Sequence, residues 1–155
     1  MKLIIQPEDG IKPLINAING AKKSVSIVVF RFDLPELEKA LKAACKRGVD
    51  VHALVAHTTS KGEKSLRKLE SRMLEHGATV ARTDDDMVRY HGKLMIIDKK
   101  NLFVMGFNYT PLDIRRSRSL GSGGTGRPQT AHSVRTSRMA GLPALARALT
   151  TLLRC

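Results

Sequence analysis

Tryptophan is missing from this sequence altogether, and Phe and Tyr bring the aromatic content to only 4%. Few rings are available to stack on bases or sugars, so recognition through an aromatic platform is disfavoured. Cysteine is nearly as scarce. Cys45 and Cys155 are the two present, too few for a disulfide framework, so the chain reads as reduced and intracellular with no disulfide. No His/Cys/Asp cluster has metal-ligand spacing, and neither metal nor cofactor is expected. Apolar runs are short as well. None approaches the ~20 residues of a membrane span, and Leu3-Ile4-Ile5 gives way at once to Gln6, Pro7, Glu8 and Asp9, which excludes a signal peptide in the sequence as written. The expected location is cytoplasmic, with membrane contact at most peripheral.

What is present is one domain's worth of chain, 155 residues at 42% hydrophobic content, enough to bury a core without staples. The net charge of +13 suggests phosphate-rich partners, either nucleic acid or an anionic lipid surface. That charge is unevenly spread. Residues 115–155 hold 8 Arg and none of the 14 acids, and the last Lys is Lys100. The sequence therefore divides into a domain over 1–114 and an Arg-rich tail over 115–155, expected to be weakly structured.

Along the first part, helical and extended patterns alternate. Ile11, Leu14, Ile15 and Ile18 predict a helix over 10–23 with Asp9 as its cap. Residues 24–32 are β-branched and mostly apolar, as in a strand covered on both faces. Pro35 opens a helix with Leu37, Leu41, Ala44 and Cys45 inward, and Gly48 closes it. A strand over 49–56, a polar loop, and a helix over 63–76 with Leu66, Leu69, Met73 and Leu74 inward follow, closed by Gly77. The strand-helix-strand-helix-strand order predicts an α/β layered fold with a mixed, mostly parallel sheet flanked by helices. Asp84-Asp85-Asp86 marks a solvated loop. Short strands are expected at 87–90, 94–97 and 102–105, with Lys99-Lys100-Asn101 as a hairpin turn. Residues 121–126 (Gly-Ser-Gly-Gly-Thr-Gly) read as a linker, because a phosphate-cradling loop needs a Lys-Ser/Thr ending that is absent. Residues 143–153 carry leucines at helical spacing without an obvious sheet partner.

The most informative stretch is Tyr90-His91-Gly92-Lys93-Leu94-Met95-Ile96-Ile97-Asp98. Four apolar residues form a buried strand that a histidine and a lysine enter and a carboxylate leaves. Strand alternation directs His91 and Lys93 the same way, placing a nucleophile beside a fixed positive charge. A His-x-Lys-x4-Asp pattern is expected by chance only about 0.02 times in a chain of this composition.

This motif, followed after a hairpin by Gly106-x-Asn108, resembles the signature of the phospholipase D superfamily, and the preceding element order resembles one half of that fold. The resemblance covers roughly the first three quarters of the chain. It implies a phosphodiesterase or phosphatidyltransferase acting on phospholipid through a covalent phosphohistidine. His91 is then the nucleophile, Lys93 neutralises the phosphodiester, and Asn108 donates a further hydrogen bond. Asp98 either fixes the tautomer of an active-site histidine or holds the turn. Arg31, Arg89 and Tyr90 are candidates for contact with substrate phosphate or head group, with strand-edge roles as the plainer reading.

One motif supplies one histidine, whereas two-step displacement also needs an acid for the leaving oxygen and a base for the acceptor. None of His52, His57, His76 or His132 has a Lys two residues on. The resemblance therefore implies a partner, either a second copy of the chain or a missing second half. A dimeric nuclease of the same superfamily and a catalytically incomplete half-domain are the alternatives. The sequence also departs from the family. Phe107 stands where a Gly-Ser-Asn sequence has Ser, no carboxylate follows near Arg118-Ser119, and beyond Gly121 the chain turns acid-free and arginine-rich, as expected of an out-of-frame C-terminus.

Overall fold

The computed structural model describes residues 2–56, 63–83 and 91–125. In chain order the elements are β1 (Lys2–Gln6), α1 (Lys12–Gly20), β2 (Ser24–Val29), α2 (Pro35–Lys46), β3 (Asp50–Val55), α3 (Glu63–Glu75), β4 (Thr79–Arg82), β5 (Leu94–Ile97), β6 (Asn101–Met105), α4 (Pro111–Arg115) and β7 (Ser119–Thr125). The seven strands form one sheet in the order β1-β7-β6-β5-β2-β3-β4. The α/β layered class expected from the sequence is the class observed. Among the named strands parallel pairing is confined to β2-β3-β4, and the other strand pairs are antiparallel. The sheet is mixed, with its antiparallel half larger than the strand-helix-strand repeat suggested.

Local chemistry explains where the helices stop and start. Pro35 occupies the first turn of α2, with Glu36 and Glu38 at its positive end. Gly48 and Gly77 both take positive φ, +79° and +86°. The backbone N–H beyond each glycine reaches back into its helix, Val49 to the Ala44 carbonyl at 3.1 Å and Ala78 to that of Met73 at 3.0 Å. Asp9 does not cap α1. Its Oδ2 instead accepts the N–H of Ile5 at 2.8 Å, and the helix begins after Ile11 with no side-chain cap.

Helices α1, α2 and α3 pack on one face of the sheet. Leu14 and Ile18, Leu37 and Leu41, and Leu66, Leu69 and Met73 meet the alternate residues Val25, Ile27 and Val29 of β2 and Val51, Ala53 and Val55 of β3. Full burial of each large aliphatic side chain contributes about 1.5–3 kcal/mol. Met73 carries the inward contact at the end of α3, and Leu74, expected inward, is exposed. On the opposite face Val28, Phe30, Leu54 and Ala56 form a smaller cluster with Leu94. Farther along that face Leu3, Ile5, Leu102, Val104 and Leu120 are exposed.

The expected linker at 121–126 is largely strand. Residues 121–125 belong to β7, which lies between β1 and β6. Close approach accounts for Gly121 and Gly123. A Cβ on Gly121 would meet the Phe107 ring at 3.1 Å and the Val104 carbonyl at 3.2 Å, and one on Gly123 would overlap the ring of Phe103. The sheet thus continues past residue 114 into β7. The expected strand at 87–90, the acidic run 84–86 and the leucine-spaced segment 143–153 lie outside the described residues.

Candidate active site

Three chain segments converge at one end of the sheet. The first leaves β2 through Phe30 and Arg31, the second enters β5 through His91, Gly92 and Lys93, and the third leaves β6 through Gly106, Phe107 and Asn108. Backbone bonds tie them together. Met105 donates to the Lys93 carbonyl at 3.0 Å, Tyr109 to the Arg31 carbonyl at 3.2 Å, and Asp33 to the Tyr109 carbonyl at 2.7 Å. The Tyr109 side chain is fully buried, and its hydroxyl donates to the Leu94 carbonyl at 3.3 Å. Burial pushes its phenol far above the ordinary tyrosine range, so it is a neutral pin between the loop and β5.

Lys93 is 5% exposed although it carries a cation. Its Nζ lies 2.9 Å from Nδ1 and 3.0 Å from Nε2 of His91. A neutral imidazole has only one acceptor nitrogen, so one of these two contacts is the hydrogen bond. The pair precedes the first residue of β5, and the alternation expected of a strand brings both side chains together there. His91 is exposed.

Phe30 holds this pair. Its ring meets His91 edge-on, with centroids 4.5 Å apart and planes at 70°, and Lys93 Nζ lies 5.4 Å from its centroid. The Arg31 guanidinium carbon is 5.8 Å from the same centroid. One aromatic ring therefore gathers His91, Lys93 and Arg31, and sequence reading did not single it out. The available signal was an aromatic residue closing an apolar strand immediately before an arginine.

Asn108 is half-buried, and its Nδ2 donates to Oδ2 of Asp113 at 3.2 Å. Asp98 does not join the group at His91. Its Oδ1 accepts the backbone N–H groups of Lys22, Lys23 and Ser24 at 3.1, 2.7 and 3.0 Å, at the far end of β5. These bonds tie the end of β5 to the segment that enters β2. Burial pushes its carboxyl up, but those N–H groups and the charge of Lys100 outweigh burial and hold it below its ordinary value. Arg89 and Tyr90 lie outside the described residues. Among the described residues no group of three or more His, Cys, Asp or Glu could hold a metal ion, and no helix is long and apolar enough to cross a membrane.

The family model described as cardiolipin synthase, PLD-like domain, matches residues 14–121, which include His91, Lys93, Asp98 and Asn108. The chain belongs to the phospholipase D superfamily. The mitochondrial cardiolipin hydrolases of Mus musculus and Homo sapiens are 28% and 27% identical to it over 111 residues. That match takes in 72% of this chain but only 48% and 42% of theirs, so the chain spans about half the length of these superfamily relatives or less. Among solved structures, the phospholipase D family member Nuc from Salmonella typhimurium superposes with a TM-score of 0.69 at 21% identity, over 99% of this chain and 90% of that one. NucT from Helicobacter pylori gives 0.64 at 20% identity, over 77% and 81%. At these identities the likeness is one of fold.

Proposed function

We propose that this chain is a phospholipase D-like phosphodiesterase or phosphatidyltransferase acting on phospholipid through a covalent phosphohistidine. The observation that carries the proposal is the Lys93 ammonium at 2.9 and 3.0 Å from the ring nitrogens of an exposed His91. A cation fixed beside an imidazole disfavours a second charge on the ring, so the ring keeps one lone pair, which is released for attack when the Lys93 ammonium turns from it to a phosphoryl oxygen. In the first step that nitrogen bonds to phosphorus, the bond from phosphorus to the leaving oxygen breaks, and the leaving oxygen takes a proton from a general acid. Lys93 balances the charge gathering on the remaining phosphoryl oxygens. In the second step water or an alcohol attacks phosphorus, gives its proton to the group that served as acid, and releases His91.

The acid and base require a second motif, supplied by another copy of the chain or by a second half. Phospholipid is the favoured substrate because the match to the cardiolipin hydrolases runs through the same motif region. A dimeric nuclease is the second reading, supported by the net charge of +13 and the single motif. A catalytically incomplete half-domain is the third, supported by the short coverage of the relatives. The oligomeric state in solution and assays on phosphatidyl lipids and on single- and double-stranded DNA separate the three. The expected result is a two-fold dimer that releases head group, with activity abolished in His91→Ala. Turnover retained in His91→Ala removes His91 as the nucleophile, and a strictly monomeric, inactive protein favours the half-domain.

A further inference from the structure

The Asn108 side chain has one polar anchor among the described residues. Its Nδ2 donates to Asp113 Oδ2 at 3.2 Å, while its Oδ1 is buried without a hydrogen-bond partner. An ionised carboxylate only accepts, so the amide edge turned toward Asp113 is the NH2 edge. Among the described residues nothing holds the carbonyl edge. The direction of the amide, and hence which of its atoms faces a reactant, is set by Asp113.

Asp113 is itself well placed to do this. Its Oδ2 also accepts the Thr110 hydroxyl at 2.6 Å, and its own N–H reaches back to Thr110 Oγ1 at 3.3 Å. These reciprocal bonds cap the start of α4, and the same Oδ2 separately accepts Asn108 Nδ2. Asp113 is moreover the acidic residue that follows Asn108 in the chain, in a sequence with no carboxylate near Arg118-Ser119.

We infer that Asp113 is a positioning residue of the site, gripping Asn108 by its amide nitrogen so that the second N–H of that amide stays aimed as a donor to a substrate phosphoryl oxygen. The inference rests on the phosphodiesterase reading for its effect on turnover, but the grip itself is separately measurable. Without Asp113 the amide is free to turn over, and the flipped form offers an oxygen to an anion. The competing account is that Asp113 merely caps α4, and Thr110 separates the two. Thr110→Ala removes the cap and leaves the Asp113–Asn108 contact in place.

The test uses the 155-residue chain with bis(4-nitrophenyl) phosphate, alongside melting curves and the side-chain amide resonances of Asn108, identified by their loss in Asn108→Ala. Asp113→Ala is expected to lower kcat about tenfold or more, Asp113→Asn to recover part of it through its own carbonyl, and Thr110→Ala to stay within about twofold. Asp113→Ala added to Asn108→Ala is expected to cost nothing further, the signature of residues acting as one unit. The Asn108 amide pair is expected to shift in Asp113→Ala and hold in Thr110→Ala. Losses that multiply, or a Thr110→Ala loss as deep as that of Asp113→Ala, overturn the inference. If the wild type shows no His91-dependent turnover, the functional reading fails instead. The amide resonances then decide the grip alone, an unmoved pair in Asp113→Ala overturning it.

Discussion

Oδ1 of Asp98 accepts the backbone N–H of Lys23 at 2.7 Å, joining residues 75 positions apart in the chain. With the neighbouring bonds from Lys22 and Ser24, this clamps the end of β5 to the start of β2, the strand that ends at Phe30. Asp98→Ala leaves three backbone donors without their carboxylate and is expected to destabilise the fold by about 1–3 kcal/mol. Urea unfolding measures this. Asp98→Asn should leave the pH profile of turnover unchanged, and a displaced profile would reassign Asp98 to the tautomer of an active-site histidine.

The same carboxyl gives a pH dependence with a defined sign. Its folded value lies below the ordinary one, so the folded state binds its proton less readily than the unfolded state does. The stability it contributes is present above the unfolded value of about 3.9 and is lost as pH falls through the folded value. The stability gap between wild type and Asp98→Asn is therefore expected to be full near neutrality and to close in acid below about pH 4. Urea midpoints of the two proteins across that range report it.

Phe30 is 8% exposed and touches His91, Lys93 and Arg31. Phe30→Ala is expected to cost about 3–5 kcal/mol of stability and so confounds folding with catalysis. Phe30→Leu keeps much of the apolar volume and removes the ring edge and face. It is expected to melt within a few degrees of wild type yet lose about tenfold in kcat, because the His91–Lys93 pair loses its lateral support. Unchanged kcat in a folded Phe30→Leu protein removes the ring from the site.

Gly123 faces the ring of Phe103 across β6 and β7, where a Cβ would overlap it. Gly123→Ala is expected to destabilise by about 1–3 kcal/mol, since either the ring or the strand must shift. Thermal melting checks this. Pairing the change with Phe103→Leu should recover part of the loss.

The parts of the fold that sequence conveyed were those set by local chemistry. Pro35, Gly48 and Gly77 punctuate helices wherever they stand, and the apolar run after Lys93 is a strand by its own composition. β1 and β7 were not legible in this way. Leu3-Ile4-Ile5 is strand because it pairs with residues 120–122, and the glycines of β7 signal a linker until the Phe103 and Phe107 rings are seen to need the space. At the site, His91 and Lys93 were readable because their spacing is short. The work of Asp98, Phe30 and Asp113 was hidden, since each acts on a partner that only folding or a turn brings alongside. Met73 and Leu74 make the same point, as both fit a helical stripe and only the exact roll of α3 chooses between them.

The pairing of β1 with β7 also sets an order of assembly. Lys2 lies opposite Gly123 and Gln6 opposite Ser119, so among the described strands β1 waits for the last one. During synthesis β2, β3 and the β5–β6 hairpin can find their neighbours soon after they emerge, since their partners are near in sequence. Among the described strands β1 has no such neighbour until β7 has been made. Until then β1 stays unmatched, and the closing of the described sheet waits on β7.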